Sequence, residues 1–137
     1  MEGVAAMTSI PVLLVDDSEP DRLFASIVLG RSGRPLELQE FESGADALAD
    51  LATAPRPPAL ILLDINMPGM DGFAFLQAFE QLPEERRRGT SVVMLSSSPL
   101  DSDRERALAH ACVRDYMVKP LSVQQARSLA DRFGGAA

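Results

Sequence analysis

The sequence predicts an α/β fold, a doubly wound parallel sheet of five strands with helices on both faces. Three observations predict it. Short apolar runs alternate with stretches of helical character, as strands and helices do in a layered α/β domain. Most of these runs are apolar throughout instead of at every second residue, the pattern of strands buried on both faces. The runs also end in polar residues, acids above all, where a buried strand has no reason of its own to place a charge.

Taken in order, "PVLLV" (11–15) is the first strand. The next segment, "SEPDRLFASIVLGRSG", reads as a helix with Ser18 as N-cap and Pro20 in its first turn. Its expected apolar face is Leu23, Phe24, Ile27 and Val28, and Gly33 is expected to close it. "LELQEF" (36–41) alternates, which suits an edge strand. "SGADALADLA" opens on a Ser43–Asp46 cap, with Leu48 and Leu51 inward. A Pro-rich connector (53–59) leads to the third strand, "ALILL" (59–63). Phe75 and Phe79, four apart, mark the third helix within "GFAFLQAF" (72–79). A charged loop, "LPEERRRGT" (82–90), precedes the fourth strand, "SVVML" (91–95). The helix around "DSDRERALAHA" is the weakest, its apolar content mostly Ala plus Leu108, and should pack loosely. "YMV" (116–118) is a short fifth strand. The last helix opens on a capping box, Ser122 to Gln125, with Ala126, Leu129 and Phe133 on one side.

Composition narrows the function classes. The 137 residues suffice for one domain, and 46% hydrophobic with 24% charged residues is an ordinary globular mixture. No apolar run approaches a membrane span, and the N-terminus lacks the basic and apolar regions of a signal peptide. A single cysteine, Cys112, makes no internal disulfide, which suits the cytoplasm. The net charge of −7, with no Trp and one Tyr, argues against nucleic-acid binding. Catalysis or protein contact remains.

The strand ends carry the chemistry. The first run ends in Asp16-Asp17, the third in Asp64, the fourth in Ser96-Ser97-Ser98, and the fifth in Lys119-Pro120. In open α/β sheets, sites form outside the carboxyl ends of strands, so these residues converge on one rim. Two unit charges about 4 Å apart repel by roughly 4 kcal/mol at an effective dielectric near 20, so three gathered carboxylates call for a cation. An all-oxygen donor set favours Mg²⁺, with Mn²⁺ or Ca²⁺ behind it. With the Lys119 ammonium and the Ser96 hydroxyl beside them, the set describes a phosphoryl-transfer site with Asp64 as nucleophile.

In these motifs the chain resembles the receiver domain of two-component response regulators: "VDD" (15–17), "DINMPGMDG" (64–72), "LSSS" (95–98) and "YMVKPL" (116–121). The resemblance covers about residues 10–133. It leaves 1–9 as an N-terminal arm expected to be flexible and 134–137 as a tail. It implies a flavodoxin-like (βα)5 sheet with strand order 2-1-3-4-5. It implies Asp64 as acceptor of phosphate from a sensor histidine kinase. It further implies Mg²⁺ (or Mn²⁺) held by Asp17, Asp64 and the Asn66 carbonyl, with Asp16 acting through a water. Ser96 and Lys119 would bind the phosphoryl group, with the bond between Lys119 and Pro120 cis. Tyr116 would be the aromatic switch that turns inward with Ser96, and Asn66 and Ser98 would tune phosphate lifetime. A homodimer through the fourth helix, fifth strand and fifth helix is a further expectation. The chain stops after its fifth helix, which suggests a stand-alone receiver, a switch and not an enzyme on other substrates. The loop "PEERRRG" looks like that of small receivers partnered with phytochrome-type kinases. One departure stands out: Cys112-Val113 replaces the Gly-Ala common before the fifth strand, removing the easiest left-handed residue for a helix stop.

Competing readings are weaker. A phosphorelay shuttle to a His-containing protein shares the same chemistry. A Mg²⁺-dependent small-molecule phosphatase lacks the second acid of an Asp-x-Asp motif, at Asn66, and a cap insertion. A receiver without chemistry is hard to reconcile with all five site residues. "DINMPGMDG" fails as a Ca²⁺ loop, because Pro68 and Phe75 fall where side-chain ligands are required. His110 reads as a surface side chain and Cys112 as a small hydrophobe. Asp101, Asp103, Arg104, Arg106, Arg127, Asp131 and Arg132 read as a solvated face.

Overall fold

A computed structural model describes residues 9–134. The expected N-terminal arm, but for its last residue, and the last three residues of the tail lie outside them. Five strands and five helices alternate: β1 (Ile10–Val15), α1 (Glu19–Gly30), β2 (Leu36–Phe41), α2 (Gly44–Thr53), β3 (Leu60–Leu63), α3 (Gly72–Glu80), β4 (Ser91–Ser96), α4 (Asp101–Leu108), β5 (Val113–Val118) and α5 (Val123–Phe133). All pairings are parallel and the order is β2-β1-β3-β4-β5, with β2 and β5 at the edges.

Alternation along the strands splits the interior into two cores. Val12, Leu14, Leu60, Leu62, Val93 and Leu95 face α1 and α5, meeting Ala25, Val28, Leu29, Ala126 and Leu129. Leu13, Val15, Ile61, Leu63, Val92 and Met94 face α2, α3 and α4, where Phe75 and Phe79 stack with ring centres 6.2 Å apart. Burying one such side chain contributes about 1.5–3 kcal/mol, so the two layers fix strand register firmly.

Side-chain caps start four of the helices. Ser18, Ser43, Asp71 and Ser122 each accept the N–H three residues on, and Ser122 and Gln125 complete the expected capping box. Helix α4 starts at Leu100 without such a bond.

Three expectations need correction. The first concerns α1, which does not bury Leu23, Phe24 and Ile27: they are 59%, 49% and 46% exposed, and the inward stripe is Ala25, Val28 and Leu29. The small Ala25 lets the helix lie close on the sheet. The same helix ends at Gly30, and Gly33, at φ +80°, serves the turn into β2. On α4 only Ala107 is buried and Leu108 is exposed, in keeping with the loose packing expected of that helix. Strand β5 begins at Val113, earlier than expected, because an edge strand can leave Arg114 and Asp115 toward solvent. The turn before it needs no left-handed residue: Ala109 stays in the α region, and the Val113 N–H donates to the His110 carbonyl.

Candidate functional site

Register delivers the site. Val15 pairs with Leu63 and Leu63 with Met94, while Ser96 pairs with Val118. The residues that follow or close these strands, Asp16, Asp64, Ser96 and Lys119, therefore share one carboxyl rim. Asp64 is drawn into line by its N–H on the Val15 carbonyl (3.0 Å), and Lys119 by its N–H on the Ser96 carbonyl (2.8 Å). Behind Asp64, α3 packs directly on the backbone. A Cβ on Gly72 would sit 2.7 Å from the Asp64 carbonyl oxygen and 2.9 Å from Ile65 Cα, so only glycine fits there. Gly69, at φ +79°, makes the turn between them. The Pro-Gly break after Asp64 is thus what lets a helix start against the strand that carries the acid.

Asp16 and Asp64 are buried and Asp17 is exposed, and ligand oxygens of all three lie within 4.8 Å of one another. Lys119 Nζ lies 2.7 Å from Asp16 Oδ2, 2.9 Å from Asp21 Oδ2 and 3.4 Å from Asp64 Oδ1. The other Asp16 oxygen accepts the Ser18 N–H at 2.9 Å, and Arg22 holds the Asp16 carbonyl at 2.7 Å. Burial pushes the Asp64 carboxyl up to about 6; Lys119 opposes the rise, and the charges of Asp16 and Asp17 add to it. For Lys119, burial works to lower the pKa, but hydrogen bonds to Asp16 and Asp21 and the charge of Asp64 outweigh it and raise it. The donor set fits a hard divalent cation: three converging carboxylates, two of them buried, with a single ammonium among them to offset their charge.

The opposite wall is the β4–α4 loop. Ser96 is fully buried, and its hydroxyl accepts the Ser98 N–H at 3.1 Å. Ser98 donates its hydroxyl to Asp103 at 2.7 Å. Tyr116 is 4% exposed, and its hydroxyl donates to the Ser98 carbonyl at 2.6 Å.

Known proteins share this fold. The sequence pattern of the response regulator receiver domain matches residues 12–131. This chain belongs to that family. The receiver is 32% identical over 121 residues to the DNA-binding transcriptional regulator NtrC of Escherichia coli; the match takes in 88% of this chain and 24% of NtrC. Among solved structures, a two-component response regulator from Cytophaga hutchinsonii superimposes with TM-score 0.82 at 32% identity, covering 92% of this chain and 98% of that one. The phosphorylated cyanobacterial phytochrome response regulator RcpA gives TM-score 0.77 at 28% identity, covering 95% and 97%. Receivers are regulatory domains. Among the described residues, no helix is long and apolar enough to cross a membrane.

The receiver's expected residues fall into two groups. Asp16, Asp17, Asp64 and Lys119 converge, with Ser96 closing β4 beside them. Asn66 is exposed on the loop after Asp64, and Ser98 is half-buried with its hydroxyl engaged by Asp103. Lys119-Pro120 is cis, as the resemblance implied. Sequence reasoning missed Asp21. Its signal was an acid in the first turn of the helix that follows Asp16-Asp17, but its partner lies 98 residues away.

Outside the site, Arg86 bonds the Ala54 carbonyl and Arg87 the Leu82 carbonyl, so two of the three loop arginines serve the fold. His110 pairs with Glu80 at 2.9 Å, tying α3 to the turn before β5. Cys112 is half-buried, and burial, then the charge of Glu80, pushes its thiol up to about 11, as befits an unreactive side chain. The charges expected to be merely solvated are mostly engaged within the chain. Asp103 holds Ser98, Arg104 the Tyr116 carbonyl, Arg127 the Ser32 carbonyl, Asp131 pairs with Arg34 and Arg132 with Asp115, while Arg106 lies over Phe73.

Proposed function

We propose that this receiver is a phosphorylation switch whose acceptor is Asp64, charged by the phosphohistidine of a sensor kinase. One observation carries the reading: a buried carboxylate stands between two further acids and one ammonium at the rim of a receiver fold. A carboxylate oxygen of Asp64 attacks the phosphorus. The N–P bond breaks as the O–P bond forms, and the imidazole leaves with the electron pair and takes up a proton. Lys119 and Ser96 then bind phosphoryl oxygens and offset a charge of about −2.

Mg²⁺, or Mn²⁺, would be held by Asp17, Asp64 and the Asn66 carbonyl. Asp16, with both oxygens already engaged, would serve it from outside through a water. When bound, the cation supplies charge neutralisation and a fixed seat for one phosphoryl oxygen. Tyr116 stands inward, and its bond to the Ser98 carbonyl couples the movement of Ser96 to the β4–α4 loop. Of the two lifetime positions, Asn66 is the freer to influence an attacking water, since the Ser98 hydroxyl is held by Asp103.

The kinase docks on α1, where exposed Leu23, Phe24 and Ile27 adjoin the rim. A cavity of about 320 Å³ lined by Phe24, Lys119, Pro120 and Leu121 lies between α1 and the β5–α5 turn. The likeness to RcpA supports a phytochrome-type kinase, while the loop arginines lend it less than their composition suggested. Exposed Leu100, Leu108 and Val118 support a self-association surface through α4, β5 and α5.

Intact mass after incubation with acetyl phosphate tests the core of the reading. A labile gain of one phosphoryl group, requiring both Mg²⁺ and Asp64, is expected. No gain in wild type, or the same gain in Asp64→Ala, overturns it.

A further inference from the structure

We infer that Asp21 is a brake on phosphorylation: a positioning residue that holds Lys119 in the resting receiver and opposes its engagement with a phosphoryl group on Asp64. The inference rests on the reading of Asp64 as acceptor.

An ammonium has three N–H donors in a compact head. In this site Asp16 and Asp21 take it at 2.7 and 2.9 Å, while Asp64, the residue it must serve, stands at 3.4 Å. Asp16 is buried and anchored through its second oxygen by the Ser18 N–H, so it fixes one side of the ammonium. Asp21 accepts a second N–H of the same ammonium. It sits in the first turn of α1, where Ser18 accepts its N–H, and its side chain is 47% exposed at the mouth of the site. An exposed ion pair contributes little to stability. The effect of this one lies in where it leaves Lys119.

Phosphorylation adds negative charge at Asp64, 3.4 Å from the Lys119 ammonium. Asp21 then competes with the phosphoryl oxygens for the same ammonium and repels them as well. Both effects favour the resting state. Toward a cation the sign reverses. With Asp21 neutral, Lys119 settles onto Asp64 and Asp16, offsetting the charge that attracts a divalent ion. Neutralising Asp21 therefore strengthens phosphoryl binding and weakens metal binding. Damage to the fold would weaken both.

The test uses the full chain and beryllium fluoride, a phosphoryl mimic, titrated at saturating Mg²⁺ and read through the emission of Tyr116, the single tyrosine. Mg²⁺ alone is titrated separately by calorimetry. Asp21→Asn is expected to bind beryllium fluoride about threefold to tenfold tighter and Mg²⁺ about twofold weaker, with Asp21→Glu close to wild type. Asp21→Ser, which removes the charge with a different side chain, should follow Asp21→Asn. Equal or weaker beryllium fluoride binding in Asp21→Asn, with wild type binding normally, overturns the brake. Absence of Mg²⁺-dependent binding in wild type instead overturns the acceptor reading, and the brake with it.

Discussion

Helices α1 and α4 flank the site and are built in opposite ways. The first has twelve residues, a serine cap, proline and two acids in its first turn, and three residues buried against the sheet. Yet it leaves Leu23, Phe24 and Ile27 in solvent. The second has eight residues, starts without a side-chain cap, buries only Ala107 and carries charge outward. One wall of the site is thus fixed and apolar, the other lightly held and charged. A surface that recognises a partner gains from being preformed, because less order must be imposed on binding. An element that moves is drawn from the weakly anchored end of a structure. Under the proposed function, recognition belongs to α1 and response to α4.

Between the two helices lies Asp64, a buried carboxylate beside two further acids, and its removal gives the largest expected effect. With chelator present, folded Asp64 holds its proton to about pH 6, whereas the ordinary carboxyl loses it near 3.8. Between those values the folded state binds more protons, so stability is full below the lower pH and falls as pH rises toward 6. The loss amounts to about 3 kcal/mol. Urea unfolding of wild type and Asp64→Asn across pH 4 to 7 measures it; the fall should vanish in the variant. If both fall alike, the loss belongs elsewhere in the cluster.

A second change addresses the contrast itself. Phe24→Asp should slow transfer from a histidine kinase that labels wild type by about 30-fold, the effect of losing one central apolar anchor, with labelling by acetyl phosphate unchanged. Leu100→Asp, the matching change beside α4, should leave transfer within about twofold. Equal losses would erase the distinction between the walls.

These two walls also mark where the sequence was and was not legible. Continuous apolar runs identified β1, β3 and β4, and the polar residues at the ends of these strands and of β5 singled out Asp16, Asp17, Asp64, Ser96 and Lys119, which the fold brings to one rim, because ending a buried strand in a polar group does nothing for the strand's own stability. The phase of α1 was not legible. Leu23, Phe24, Ile27 and Val28 make as good an apolar stripe as Ala25, Val28 and Leu29, and hydrophobicity favours the larger set. The fold chose the smaller, since Ala25 permits close approach, and it leaves the large side chains exposed. Arg114 and Asp115 hid the start of β5, where an edge strand tolerates them. Asp21 was out of reach for a different reason: its meaning depends on an ion pair closed only by the tertiary fold.

The smallest expected effects concern the helix starts. Ser18→Ala removes the side-chain acceptor from α1 and should cost about 1 kcal/mol. Leu100→Ser offers α4 the acceptor it lacks, at a residue 59% exposed, so little buried apolar area is given up. A gain of about 0.5 kcal/mol is expected, read as a shift in the urea midpoint at unchanged slope. The gain has a functional counterpart. If α4 responds because it is lightly held, securing its first turn should weaken the response of Tyr116 emission to beryllium fluoride, while Ser18→Ala leaves that amplitude intact. A stabilised α4 with an undiminished response would place the moving part in the β4–α4 loop alone, where Tyr116 already grips the Ser98 carbonyl.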